Sequence, residues 1–151
     1  MRHRIRAAGL IIDQNRILMV NEHDTGQSYW VPPGGGFEAK DGNTSNTVKR
    51  EVWEETGLSV VVGKLMFIRE FCETERNIYH VEQFYRVDHW QGTISLKNLE
   101  ALEGEVRSIS QVRWFTKEEL VHVDVFPPHL KDVLWQKLDD DDLSIVHLGY
   151  S

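Results

Sequence analysis

Arg50-Glu51-Val52-Trp53-Glu54-Glu55-Thr56-Gly57-Leu58 is the stretch from which the rest of the chain can be read. On a helix, Glu51 lies one turn before both Glu54 and Glu55, so the three carboxylates share one broad face. Like charges this close repel, and the arrangement loses stability unless cations neutralise it. Hard oxygen donors at this density suit magnesium or manganese better than zinc. Arg50 stands four residues before Glu54, within reach to fix its rotamer. A solvated helix face laced with charge pairs is the alternative for such a group of acids. Against it, Arg-Glu-x-x-Glu-Glu-x-Gly arises by chance on the order of once in a million start positions, and a glycine-rich strand-to-helix loop precedes it here.

Outward from this stretch, polar capping residues open the helix and Gly57 sits where a left-handed residue closes it, which predicts a helix from Asn43 or Thr44 to Thr56. Upstream, Tyr29-Trp30-Val31 reads as a strand. It is ended by Pro32-Pro33-Gly34-Gly35-Gly36, two rigid residues and three permissive ones that force an unusual backbone path with a loop after it. Apolar residues 5–12 and 17–20 flank Asp13-Gln14-Asn15-Arg16 and predict a hairpin. Downstream, residues 60–71, 80–87 and 112–115 have strand composition. Thr116 with Glu119 makes a capping-box pattern, and Pro127-Pro128 is placed to open a last helix through about Leu138. The acidic run 139–142 reads as a solvated, frayed end. Interleaved strands and helices, with no repeat or low-complexity linker, predict an α/β fold in one domain over residues 1–151.

The formal charge of −7, from 24 acidic and 17 basic residues, disfavours a surface that grips long nucleic acids by counterion release. Small phosphorylated ligands remain compatible with it when divalent metals stand between carboxylate and phosphate. Cys72 is the only cysteine, which excludes an internal disulfide and a cysteine-rich zinc site and fits a reducing compartment. The basic start of the chain is followed only by the short apolar run 10–12, not by a signal-peptide core, and no stretch approaches membrane-spanning length. The expectation is a cytoplasmic protein with no membrane partner. The seven histidines lack compact ligand spacing, which argues against a histidine–zinc site.

The loop and helix resemble the signature of the Nudix family, G-x5-E-x7-R-E-U-x-E-E-x-G-U with U an aliphatic residue, and the match is complete from Arg50 to Leu58. Counting back from Arg50 puts Gly36 at the signature glycine but Gly42 at the acid. Counting forward from Gly35 puts Asp41 at the acid, with eight residues rather than seven before Arg50, and Glu38 where relatives often carry another acid. The second register, with one inserted residue, is the preferred one. The resemblance implies a Nudix-type α/β/α sandwich with a central mixed sheet. It also implies a magnesium-dependent hydrolase, with manganese as substitute, that cleaves the pyrophosphate linkage of a nucleoside diphosphate joined to another group. Carried over by position, Glu51, Glu54 and Glu55 would be metal ligands, joined by a backbone carbonyl of Gly34 or Gly35, with Arg50 supporting them. The general base would be Glu54 or Glu55, or an acid of a later loop, Glu103 or Glu105, with Glu105 ranked first of those two.

The expected partner is a small nucleotide: a nucleoside triphosphate, a nucleotide sugar or a dinucleoside polyphosphate. A homodimer is compatible with base rates. A Nudix-fold binding or regulatory module that has lost turnover is the competing class, and the three intact glutamates favour the enzyme. Trp30, Phe37, Phe67, Phe71, Tyr79, Phe84 and Tyr85 could offer a stacking surface but are individually better read as core. Arg69, Arg76 and Arg86 could clamp a distal phosphate.

Overall fold

In the computed structural model, which describes residues 1–24, 26–102 and 109–150, the apolar segments at the start form strands β1 (Arg2–Asp13) and β2 (Arg16–Asp24). Gln14 and Asn15 both take positive φ, 51° and 58°, the turn that matches the twist of a hairpin. Only Ile12–Ile17 and Asp13–Arg16 pair across this hairpin, after which the two strands part. β1 then runs parallel to β6 (Ile78–Gln91), which pairs antiparallel with β5 (Ser59–Glu73). β2 is flanked by β3 (Gln27–Val31) and β7 (Ile109–Thr116), both antiparallel to it. The order β3-β2-β1-β6-β5-β8, with β4 (Gly34–Gly36) on β1, β7 on β2 and β8 at Val146–His147, makes a mixed eight-stranded sheet.

Layering follows from alternation along the strands. Successive residues of β1 and β2 are buried on opposite faces, which is why their runs are apolar without a break. Ala7, Ile11 and Leu18 join Val48 and Val52 of helix α1 (Thr44–Thr56) on one face. Ala8, Leu10, Ile17 and Met19 join Leu134 and Trp135 of the C-terminal helix on the other. The result is the predicted sandwich, helix on sheet on helix.

The predicted helix has its cap and its stop where the sequence placed them. The Asn43 side chain accepts from the Asn46 amide at 2.9 Å, and Gly57 closes the helix at φ 80°, donating to the Trp53 carbonyl. A short helix α2 (Lys97–Glu100) follows β6. The Thr116–Glu119 capping box opens the single turn α3 (Lys117–Leu120). Two expectations differ. The triple glycine is not loop but the strand β4, pairing Arg6–Gly36, Ala7–Gly35 and Ala8–Gly34. The last helix is split: Pro128–Lys131 makes a 3-10 turn, and α4 proper (Val133–Asp139) starts afresh from Asp132, whose side chain accepts from the Val133 amide.

Candidate active site

α1 lies with Glu51, Glu54 and Glu55 toward β4, and all three are buried, at 4%, 7% and 1% exposure. That burial excludes the solvated-face reading, because ionised acids are withdrawn from water only where something compensates. The glycines of β4 let the strand come close. A Cβ on Gly35 would stand 2.5 Å from Glu51 Oε1, and one on Gly34 2.5 Å from the Ala7 carbonyl oxygen. The Gly34 amide donates to Glu55 Oε1 at 3.3 Å. Gly34 therefore meets the helix through its N–H.

Arg50 holds the group together. Its Nη1 donates to Glu51 Oε1 at 2.8 Å and, more weakly, to Glu54 at 3.4 Å, while Nη2 donates to the Gly36 carbonyl at 3.0 Å. Its firmest grip is on Asp41, Nε to Oδ1 at 2.8 Å and Nη2 to Oδ2 at 3.1 Å, a two-pronged pairing of the kind guanidinium geometry favours. Asp41 also accepts from the Thr47 hydroxyl and the Glu38 amide. Those bonds, Arg50 first, hold its carboxyl well below the usual range, and Asp41 in turn raises Arg50. Asp41 ends the 3-10 turn Ala39–Asp41, which Gly42 closes at φ 78°. Asp41 is thus the main partner of Arg50, which it shares with Glu51 and Glu54.

Burial, then the neighbouring Glu51, pushes the Glu55 carboxyl up. Its Oε2 is buried and finds no hydrogen-bond donor among the described residues. As they stand, no three acids among the described residues form a closed metal cage, since Arg50 and the Gly34 amide engage several of the oxygens. The donor set nevertheless fits a hard divalent cation: buried carboxylates, Glu55 Oε2 without a donor among the described residues, and a glycine strand with no side chain in the way. Glu103 and Glu105, the loop candidates for a general base, lie outside the described residues.

On the opposite face of the sheet, Gly34 also lines a cleft of about 540 Å³. Its floor is built from alternate residues of three strands: Arg4, Arg6 and Ala8 of β1, His80, Glu82 and Phe84 of β6, and Arg69, Phe71 and Glu73 of β5. Phe71 and His80 stack at 4.5 Å, Arg69 lies 4.4 Å over the Phe71 ring, and Glu82 is held by Arg6 at 3.2 Å and Arg69 at 3.5 Å. At the rim, Tyr29 donates to Glu22 at 3.1 Å and meets the edge of Phe126.

Of the aromatic and basic residues singled out in the sequence, Phe71, Phe84, Arg69 and Arg76 belong to the cleft. Trp30 and Phe67 are core, and Arg86 lines a separate small depression with Lys64 and Lys137. Arg4, Arg6, Tyr29, His80, Glu82 and Phe126 were missed. The every-second-residue spacing of Arg2, Arg4 and Arg6 at the start of β1 is the signal that could have found the latter two.

Comparison with known proteins bears on the family and the fold. The family model described as NUDIX domain matches residues 2–136. A MutT-like protein of Streptomyces ambofaciens is 39% identical over 64 residues, a match spanning 42% of this chain and 40% of that protein. Among solved structures, the E. coli ORF135 protein superposes with a TM-score of 0.73 at 18% identity, covering 95% of this chain and 96% of that one. An ADP-ribose pyrophosphatase from Streptococcus suis superposes with a TM-score of 0.65 at 17% identity, covering 95% and 98%. At such identities the two structures speak for the fold alone.

Proposed function

The chain belongs to the NUDIX domain family, and we propose that it is a divalent-metal-dependent pyrophosphohydrolase that cleaves the diphosphate linkage of a nucleoside diphosphate joined to another group. One observation carries the reading. Gly34 connects two features that such a reaction needs, donating its amide to buried Glu55 on one side and lining the 540 Å³ cleft on the other.

In the reaction, water adds to one phosphorus and the bridging P–O bond breaks, leaving two products that each carry one end of the old linkage. Glu51, Glu54 and Glu55 would hold the ion, magnesium or manganese by the hardness of their oxygens. When bound, it supplies Lewis acidity toward phosphate oxygens. Arg50 keeps Glu51 and Glu54 in fixed rotamers, so the carboxylates are ordered before substrate arrives. Glu55, buried on α1 beside the Gly34 amide, would be one candidate to take the proton of the attacking water. Glu54, Glu103 and Glu105 compete for that duty. The β4 backbone, bare of side chains, lets phosphate approach, and Ala8, Phe71 and Phe84 exclude water from the floor.

The test is product release from a panel of nucleoside triphosphates, nucleotide sugars and dinucleoside polyphosphates with magnesium or manganese, run beside a Glu54→Gln, Glu55→Gln double variant. Turnover in the parent that the variant loses is the expected result. A parent that binds these ligands, seen as a raised melting temperature, and turns over none would instead be a binding module on this fold.

A further inference from the structure

β4 separates two arginines in different circumstances. Arg50, on the α1 side, donates to the Gly36 carbonyl and is saturated by acids. Arg4, on the cleft side, rests on the same glycine, where a Cβ would stand 2.7 Å from its Nη2. Arg4 has no hydrogen bond and no ion pair among the described residues. The other cleft arginines all have an acid: Arg6 and Arg69 share Glu82, and Arg76 pairs with Glu73. Arg4 is pressed by like charge as well: burial, then Arg6 and Arg76, push its guanidinium down, and Glu51 and Glu73 offset this only in part.

A guanidinium left over beside two others attracts an anion, and phosphate offers it two oxygens in the geometry it prefers. The place fixes which phosphate. Gly36 is two residues beyond Gly34 along a strand, about 7 Å, a span that the next phosphate of a chain engaged at Gly34, together with the reach of the Arg4 guanidinium, can bridge. A neutral sugar in that position would leave Arg4 unpaired and give it nothing to recognise.

We infer that Arg4 receives a phosphate lying beyond the diphosphate that is cleaved, so that this site takes nucleoside triphosphates in preference to nucleotide sugars. The inference rests on the proposed reaction and names its substrate class. Arg4 is a specificity-determining residue in it and takes no part in bond making.

The test has two arms, each comparing the wild type with Arg4→Gln and Arg4→Lys. In metal-free buffer with chelator, inorganic tripolyphosphate should raise the melting temperature of the wild type. Arg4→Gln should lose that rise and Arg4→Lys should keep part of it. With magnesium, kcat/KM is measured for UTP and UDP-glucose, which share one nucleoside. The wild type should prefer UTP, and Arg4→Gln should lower the UTP value about tenfold or more while changing UDP-glucose less than about threefold.

A wild type that prefers UDP-glucose, a tripolyphosphate rise that is absent or survives in Arg4→Gln, or an equal loss on both substrates overturns the inference. Should the wild type hydrolyse neither compound, the hydrolase reading is decided by the wider substrate panel, and the tripolyphosphate arm still decides whether Arg4 binds phosphate. Arg4 makes no hydrogen bond or ion pair among the described residues, so its replacement should cost the fold little, which the melting temperature of the unliganded variants checks.

Discussion

Asp41 grips Arg50 through both carboxylate oxygens, at 2.8 and 3.1 Å, and this pair turns a helix carrying three buried acids into an ordered site. Without Asp41, the Arg50 fork would be free to swing toward Glu54 or solvent. Breaking a buried ion pair by removing one partner typically costs about 3–5 kcal/mol, and Glu51 remains to compensate part of it. Asp41→Ala should therefore lower stability by about 2–4 kcal/mol in urea denaturation. A loss below about 0.5 kcal/mol, the usual range for a surface change, would show that the other acids hold Arg50 unaided.

The same pair sets a pH dependence whose sign can be worked out. Arg50 and the other donors depress the folded-state carboxyl of Asp41, while in the unfolded chain it titrates near its ordinary value of about 3.9. Its contribution is fully present above that value and is lost as pH falls through it toward the depressed one. Urea midpoints measured downward from pH 5 should fall more steeply in the wild type than in Asp41→Asn. Parallel curves would remove Asp41 from the acid-labile groups.

Neighbouring glycines of β4 should respond to alanine in different ways. At Gly34 the new methyl meets main chain, the Ala7 carbonyl oxygen at 2.5 Å and Ala8 Cα at 2.6 Å, which cannot yield without parting β4 from β1. At Gly35 it meets only the end of the Glu51 side chain, also at 2.5 Å, which can move. Gly34→Ala should lose several degrees of melting temperature. Gly35→Ala should stay folded and lose about 100-fold in kcat/KM through a misplaced carboxylate. Equal effects of the two changes on stability would contradict this division.

The contrast between β4 and α1 shows how much the sequence made legible. α1 could be bounded to within one residue because Asn43, Gly57 and the glutamate spacing are local signals. The signature positions likewise brought Arg50, Glu51, Glu54 and Glu55 to one place before any coordinates. β4 was read as loop because three glycines have no strand preference of their own, and only their pairing with β1, nearly thirty residues away, makes them one. The cleft was hidden for the same reason: Arg4, Phe71 and His80 become neighbours through long-range strand register. Asp41 was found by counting, but its role was not, since a candidate ligand and an arginine clamp look alike until the 3-10 turn at Ala39–Asp41 is known.

Glu55 offers the sharpest separation of folding from function. It is almost wholly buried, repelled by Glu51, and leaves Oε2 without a donor among the described residues, so in the metal-free protein its charge opposes folding. Glu55→Gln removes that charge at nearly constant volume. In chelator, its melting temperature should equal or exceed that of the wild type. With magnesium the order should invert, because a ligand at 100 times its Kd adds about 2.7 kcal/mol to the protein that binds it, roughly 5–10 °C for a chain of this size, and the variant forgoes most of this. A variant that keeps the full magnesium response would dismiss Glu55 as a ligand. A variant several degrees less stable in chelator would mean instead that the carboxyl itself, through the Gly34 amide, supports the fold.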